Sequence, residues 1–302
     1  MNRVHGERHC GQPWRRQLCS TGEASGKAGA IQYDGYSYGV LNNTHARLWD
    51  NLQTAITNAF SQFPQRRGSI KVYAATSGGS FYHHDVWPFT NEYIQINTTN
   101  GVWGDYGRFT EAHEFGHAFH HEALGGYPNL PSSCDSHTWY SDEDESCAYV
   151  EGFADFFGVQ TANDVAGWKA YVESNGPREQ ALANGITNGA RVEGEVAAFL
   201  LDVMDGANES WDSIAYPGSY LSGIVQTCSV QLNGSWYHAF RIEDAVFCME
   251  GGVDPAITNN GTYFPGQPTP TAVYEQTSHP PGWQQFGASL RQLWTHNLYG
   301  VN

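Results

Sequence analysis

The chain has 302 residues, is 40% hydrophobic and 14% aromatic, and carries 15 basic against 31 acidic side chains, a formal charge of −16. That apolar content excludes a disordered chain. The acidic excess excludes nucleic acid and anionic membrane surfaces as partners, because clustered Lys and Arg recognise both. In chain order, residues 1–30 are polar and Gly/Ser-rich, with five basic and two acidic groups in the first 27, and read as a loose lead-in. Asn43-Thr44 can cap a helix running to Phe63, with Leu48, Leu52, Ala55, Ile56, Ala59 and Phe60 on one face and Pro64 ending it. Ser69–Thr76 reads as a strand, Gly78-Gly79 as a turn, and Glu92–Trp103 as one or two further strands. His83-His84 reads as surface loop. Arg108–Leu124 is a predicted helix closed by Gly125-Gly126. A loop over Tyr127–Glu145 follows, then helices over Ser146–Thr161 and Glu193–Asp205. Gly251–Gly282 is rich in Pro and Gly and reads as irregular, and Gln285–Leu298 as a closing helix. The predicted organisation is the lead-in 1–30, an α/β lobe over 31–126 and a mainly helical lobe over 127–302.

No run of 18 apolar residues occurs, so no transmembrane helix is expected. The six cysteines fall as Cys10/Cys19, Cys134/Cys147 and Cys228/Cys248, three locally spaced pairs that suit a disulfide set and hence export. The expected location is extracellular, although Met1–Cys19 has no apolar stretch of the kind a signal peptide carries.

The chemistry is concentrated in Glu111–His121, which contains His113-Glu114-x-x-His117. Helical positions four apart lie on one face, one turn above the other. Two imidazoles so placed can reach one Zn²⁺, with Glu114 beside them to take a proton from water. Ala112, Phe115 and Phe119 lie on the opposite face. The longer metzincin pattern would need Gly at 120 and His at 123, where this chain has His120 and Ala123. A catalytic zinc needs a third protein ligand, and Glu151-Gly152-Phe153-Ala154-Asp155 is the next candidate. There Glu151 can ligate and Asp155, one turn on, can accept the free N–H of a ligand histidine. Glu145 is a rival third ligand. His120 lies near the face of His113 and His117 and reads as packed rather than ligating. Asp142-Glu143-Asp144-Glu145 offers oxygens of the kind Ca²⁺ takes, but without EF-hand spacing it reads as a solvated acidic loop.

These motifs resemble the gluzincin, thermolysin-like zinc metallopeptidases. They also resemble secreted bacterial or archaeal zinc-peptidase-like proteins in which HExxH, EGxADFF and EGxVAxxLxD follow in that order; here the third element is Glu193–Asp202. The resemblance spans about residues 93–206. It implies an α+β zincin-like fold with a small mixed sheet, a helical C-terminal lobe and a cleft between them. It implies one catalytic Zn²⁺ held by His113, His117 and Glu151, with Glu114 as general base and Asp155 supporting a ligand histidine. It implies a His or Tyr that steadies the oxyanion; His238 is the choice taken, with Tyr216, Tyr220 and Tyr237 as alternatives. The expected substrate is a peptide or protein. The competing readings are a catalytically silent binding or adhesion domain on the same scaffold, and another metal-assisted hydrolase.

Overall fold

The computed structural model describes residues 31–32, 43–63, 70–84, 92–98, 105–123, 134, 137–162, 167–174, 176–205, 216–227, 229–232, 235–238, 241–249, 257–258, 262–263 and 297–298. The chain divides into two compact units, Met1–Glu122 with Phe157–Ala166, and Ala123–Phe156 with Gly167–Asn302.

The first unit is built on a four-stranded sheet. Its strands are β1 (Ile31–Gln32), β2 (Ile70–Ala75), β3 (Phe81–His83) and β4 (Tyr93–Asn97), in the order β1-β2-β4-β3. β1, β2 and β4 run parallel, and β3 pairs antiparallel with β4, Tyr82 opposite Ile94. Strand alternation puts Ile70, Val72, Ile94 and Ile96 in the core, while Lys71, Tyr73, Tyr93 and Gln95 are half-buried on the other face. The turn before β3 is pinned to the end of β4: the Asn97 backbone N–H donates to Ser80 Oγ at 3.0 Å and the Asn97 side-chain amide donates to the Gly78 carbonyl. β3 was not expected from the sequence, because three residues with an exposed, half-buried, exposed pattern carry no apolar signal.

Helix α1 (Asn43–Gln62) buries Leu48, Leu52, Ala55, Ile56 and Ala59, the stripe its spacing predicts. Helix α2 (Asp105–Ala123) carries the HExxH motif. Ala55, Ala112 and Ala162 meet in one buried cluster, where small side chains let backbones approach closely. Helix α3 (Glu145–Thr161) begins in the second unit, and its last turn, from Phe157, belongs to the first. There the Asn58 side-chain amide donates to the Thr161 carbonyl at 2.6 Å, satisfying one of the acceptors a helix end leaves open. Phe157 is fully buried, with ring centroids 5.4 Å from Phe63, 5.2 Å from Phe119 and 5.9 Å from Phe115.

The second unit is mostly helical. After the start of α3 come α4 (Trp168–Glu173), α5 (Gly176–Ala183), a 3-10 turn at Gly189–Arg191, α6 (Glu193–Asp205), α7 (Gly218–Thr227) and α8 (Ile242–Met249). Hairpins β5 (Ser229–Leu232) with β6 (Ser235–His238), and β7 (Ile257–Thr258) with β8 (Thr262–Tyr263), accompany them. In α6, Val196, Ala197, Phe199, Leu200, Leu201 and Val203 are all buried, so this helix is core on most of its circumference. Of the closing helix expected at Gln285–Leu298, only Asn297 and Leu298 are among the described residues. The Asn297 side-chain amide donates to Asp202 Oδ2 at 2.7 Å. Among the described residues, no helix is long and apolar enough to cross a membrane.

One acid in the first turn of α6 gives a pH signature. Glu195 is buried, and burial pushes its pKa up to about 8, against a smaller lowering by Arg178. An acid whose folded pKa lies above its unfolded value weakens the fold as pH rises from about 4.5 towards 8. Glu195→Gln removes that ionisation. It is expected to leave stability near wild type at about pH 5 and to exceed it by on the order of 2 kcal/mol at about pH 8.5, read from urea melts at both values.

Candidate metal centre

The first-unit residues converge as helical spacing requires. His113 and His117 lie one turn apart on α2, with rings nearly perpendicular and centroids 4.7 Å apart. Their Nε2 atoms are 3.1 Å apart. Two ligands about 2.0–2.1 Å from one tetrahedral ion stand roughly 3.3 Å apart, so the pair fits a zinc ion by its own geometry. One donor atom each from His113, Glu114 and His117 lie within 4.8 Å of one another. Glu114 is 6% exposed and His117 7%, while His113 is half-buried. The carboxylate therefore sits beside both nitrogens in a largely dehydrated setting that remains open at His113.

The neighbouring histidines separate into two kinds. His120 is fully buried, and burial, then His117 and His121, push its pKa well below the ordinary imidazole value, so it packs as a neutral group. His121 is half-buried and meets the edge strand, its Nδ1 2.8 Å from Tyr82 Oη. The Tyr82 hydroxyl donates to Glu92 Oε1 at 2.6 Å, so His121 Nδ1–H is the donor to Tyr82. The Tyr82 ring also lies nearly parallel to that of His117, centroids 6.4 Å apart. Sequence reading passed over Tyr82 because it belongs to a strand with no pattern; the adjacent His83-His84 drew attention instead.

The other motif residues lie in the second unit. Glu151 is 9% exposed and Asp155 1%. Asp155 lies close enough to Glu193 to raise its pKa. The glycines that follow Glu151 and Glu193 have a packing reason. A Cβ on Gly152 would lie 2.6 Å from the Glu193 carbonyl oxygen and 2.7 Å from Val196 Cβ, and one on Gly194 would lie 2.5 Å from the Trp139 carbonyl oxygen. Gly152→Ala is therefore expected to destabilise by about 1–3 kcal/mol through overpacking, read as a lower urea midpoint at unchanged m-value.

The expected disulfide Cys134–Cys147 is present and ties the loop to the first turn of α3. Cys10, Cys19 and Cys228, needed for the other two expected pairs, lie outside the described residues. The loop is held to Arg191 and to the first turn of α6 by Glu143 N–H to the Arg191 carbonyl at 2.9 Å and Gly194 N–H to the Trp139 carbonyl at 3.1 Å. Its acidic run is not uniformly solvated as the sequence suggested. Asp142 and Asp144 are exposed as expected, Asp142 pairing with Arg191 at 2.6 Å and Asp144 capping α3 by accepting from Ser146 N–H at 2.9 Å. Glu145 pairs with the buried Arg241 at 3.4 Å, and Glu143 turns inward towards His137. His137 Nδ1 lies 2.5 Å from Glu193 Oε2, and His137 Nε2 lies 3.7 Å from Glu151 Oε2. The Glu193 hydrogen bond, working against burial, raises the His137 pKa to about 9. Burial raises Glu143 and Glu193 each to about 7. Sequence reading missed this pair because His137 and Glu193 are separated by 56 positions and neither falls in a motif that names the other.

His238 and Tyr237 lie on β6, with His238 opposite Ser229 in the hairpin. Their side chains, like that of Tyr220, lie outside what is described. Tyr216 is half-buried, its N–H donating to the Val203 carbonyl at 2.8 Å.

Compared with known proteins, residues 57–230 match the family model described as the Mycolysin C-terminal domain. The matched span contains the HExxH helix, the Glu151–Asp155 motif and the Glu193–Asp202 motif. No curated protein and no solved structure matches the chain.

Proposed function

The chain belongs to the Mycolysin C-terminal domain family, and from that membership we propose that it is a zinc-dependent peptidase of gluzincin type that works outside the cell. The family links the chain to metallopeptidases. The observation that carries the finer reading is the pair of Nε2 atoms 3.1 Å apart with the Glu114 carboxylate beside them. Zinc, when bound there, supplies Lewis-acid polarisation of the scissile carbonyl and acidifies water. His113 and His117 hold the ion, and Glu151 is the third ligand that the motif implies. Glu114 accepts the proton of the attacking water and returns it to the leaving amine, a transfer that needs a carboxylate within reach of both. Asp155 orients a ligand histidine, and His238 steadies the oxygen that gains charge. The substrate is a peptide or protein segment, and the scaffold is the α+β zincin-like arrangement.

The test is casein or peptide-library cleavage by the native protein, before and after chelation. Cleavage is expected to fall below about 1% with a zinc chelator and to return on adding Zn²⁺, because the ion is what acidifies the attacking water and polarises the carbonyl. Undiminished cleavage by zinc-free protein would overturn the mechanism. Absence of cleavage by zinc-loaded protein would leave the silent-scaffold reading.

A further inference from the structure

We propose that His137, Glu143 and Glu193 form a second divalent-metal site, within the second unit, that takes a transition ion such as Mn²⁺ or Zn²⁺. One donor atom from each of the three lies within 4.8 Å of the other two. His137 and Glu143 come from the loop tied down by Cys134–Cys147, and Glu193 from the first turn of α6. Two segments far apart in sequence thus bring an imidazole and two carboxylates to one point.

The side-chain contacts at that point leave it short of positive charge. The imidazole faces carboxylate oxygens at both nitrogens: Glu193 at 2.5 Å from Nδ1 and Glu151 at 3.7 Å from Nε2. The second distance is too long for a hydrogen bond. Glu143 Oε1 accepts from the Ser141 hydroxyl at 2.7 Å, while its Oε2 is buried with no hydrogen-bond partner among the described residues. The arginines on adjoining segments are engaged elsewhere, Arg191 with Asp142 and Arg241 with Glu145 and Asp244. A divalent ion balances the Glu143 and Glu193 carboxylates together, which one imidazolium does not. It would displace the proton shared by His137 and Glu193, since metal ligands bind deprotonated. A mixed nitrogen and oxygen donor set selects Mn²⁺ or Zn²⁺ over Ca²⁺, which takes oxygens and six to eight of them. The His137 side chain is 30% exposed, which provides an entry path, while Glu193, at 3%, is fixed in the core.

This site is additional to the zinc centre proposed above, and its test keeps the two apart. The native full chain, His113→Ala, His137→Asn and Glu143→Gln are each dialysed against Mn²⁺, and bound metal is counted by elemental analysis and electron paramagnetic resonance. Circular dichroism checks the fold. His113→Ala is expected to keep one tightly held Mn²⁺, and His137→Asn and Glu143→Gln are each expected to weaken that Mn²⁺ at least tenfold. His137→Asn carries the test if Glu143→Gln does not fold. Loss of all Mn²⁺ on His113→Ala overturns the second site, as does unchanged uptake in both loop variants. Failure of the zinc reading shows separately, as native protein whose one bound ion depends on His137 and not on His113.

Discussion

Glu114→Gln is expected to lower kcat for peptide hydrolysis by at least about a thousandfold while the zinc content stays at the wild-type level. The side chain keeps its size and loses only its ability to take a proton. His113 and His117, whose Nε2 atoms lie 3.1 Å apart, are untouched, so the metal pair keeps its geometry. KM is expected to change little, because the removed interaction belongs to the transition state. Single-turnover rates and elemental analysis on the same sample separate the two effects. A rate loss accompanied by zinc loss would mean that Glu114 serves as a ligand rather than as the base.

The second large effect concerns the core behind the metal helix. Phe157→Ala is expected to cost about 3–5 kcal/mol, the range for truncating a fully buried aromatic side chain. Phe157 touches Phe63, Phe115 and Phe119, and two of those three lie on α2, on the face away from the metal histidines. Emptying that space removes the packing that orients α2, so zinc affinity should fall together with stability. Because the ion binds the folded form, added zinc should recover part of the lost Tm in proportion to the logarithm of its concentration. Thermal melts across a zinc series check both points. A Tm loss that zinc leaves unchanged would uncouple the core from the metal helix.

Residues close in sequence were the legible ones. The buried stripe of α1, the α2 and α3 helices and the Val196, Phe199, Leu200 and Val203 stripe of α6 follow from local spacing, and the structure places these helices within a few residues of the expected limits. His113, Glu114 and His117 were readable as a unit for the same reason, since one helix turn fixes their relation. Long-range partners were not legible. β3 exists because β4 offers it an edge, and nothing within Phe81–His83 announces a strand. α4 and α5 were missed because neither carries a full apolar stripe; α5 buries only Pro177 and Ala181. The His137–Glu193 pair required the loop to be laid along Arg191 and the first turn of α6 by backbone hydrogen bonds that side-chain patterns do not encode. The Glu193 motif was visible as a pattern but had no assigned role until its partner was in place.

The proposed chemistry depends on one zinc ion held by His113 and His117. Anomalous diffraction at the zinc edge from crystals of the native protein tests it most directly. A peak is expected roughly 2 Å from both Nε2 atoms, with a Glu151 oxygen completing the protein ligands. Zinc-loaded crystals with no peak on that pair would contradict it.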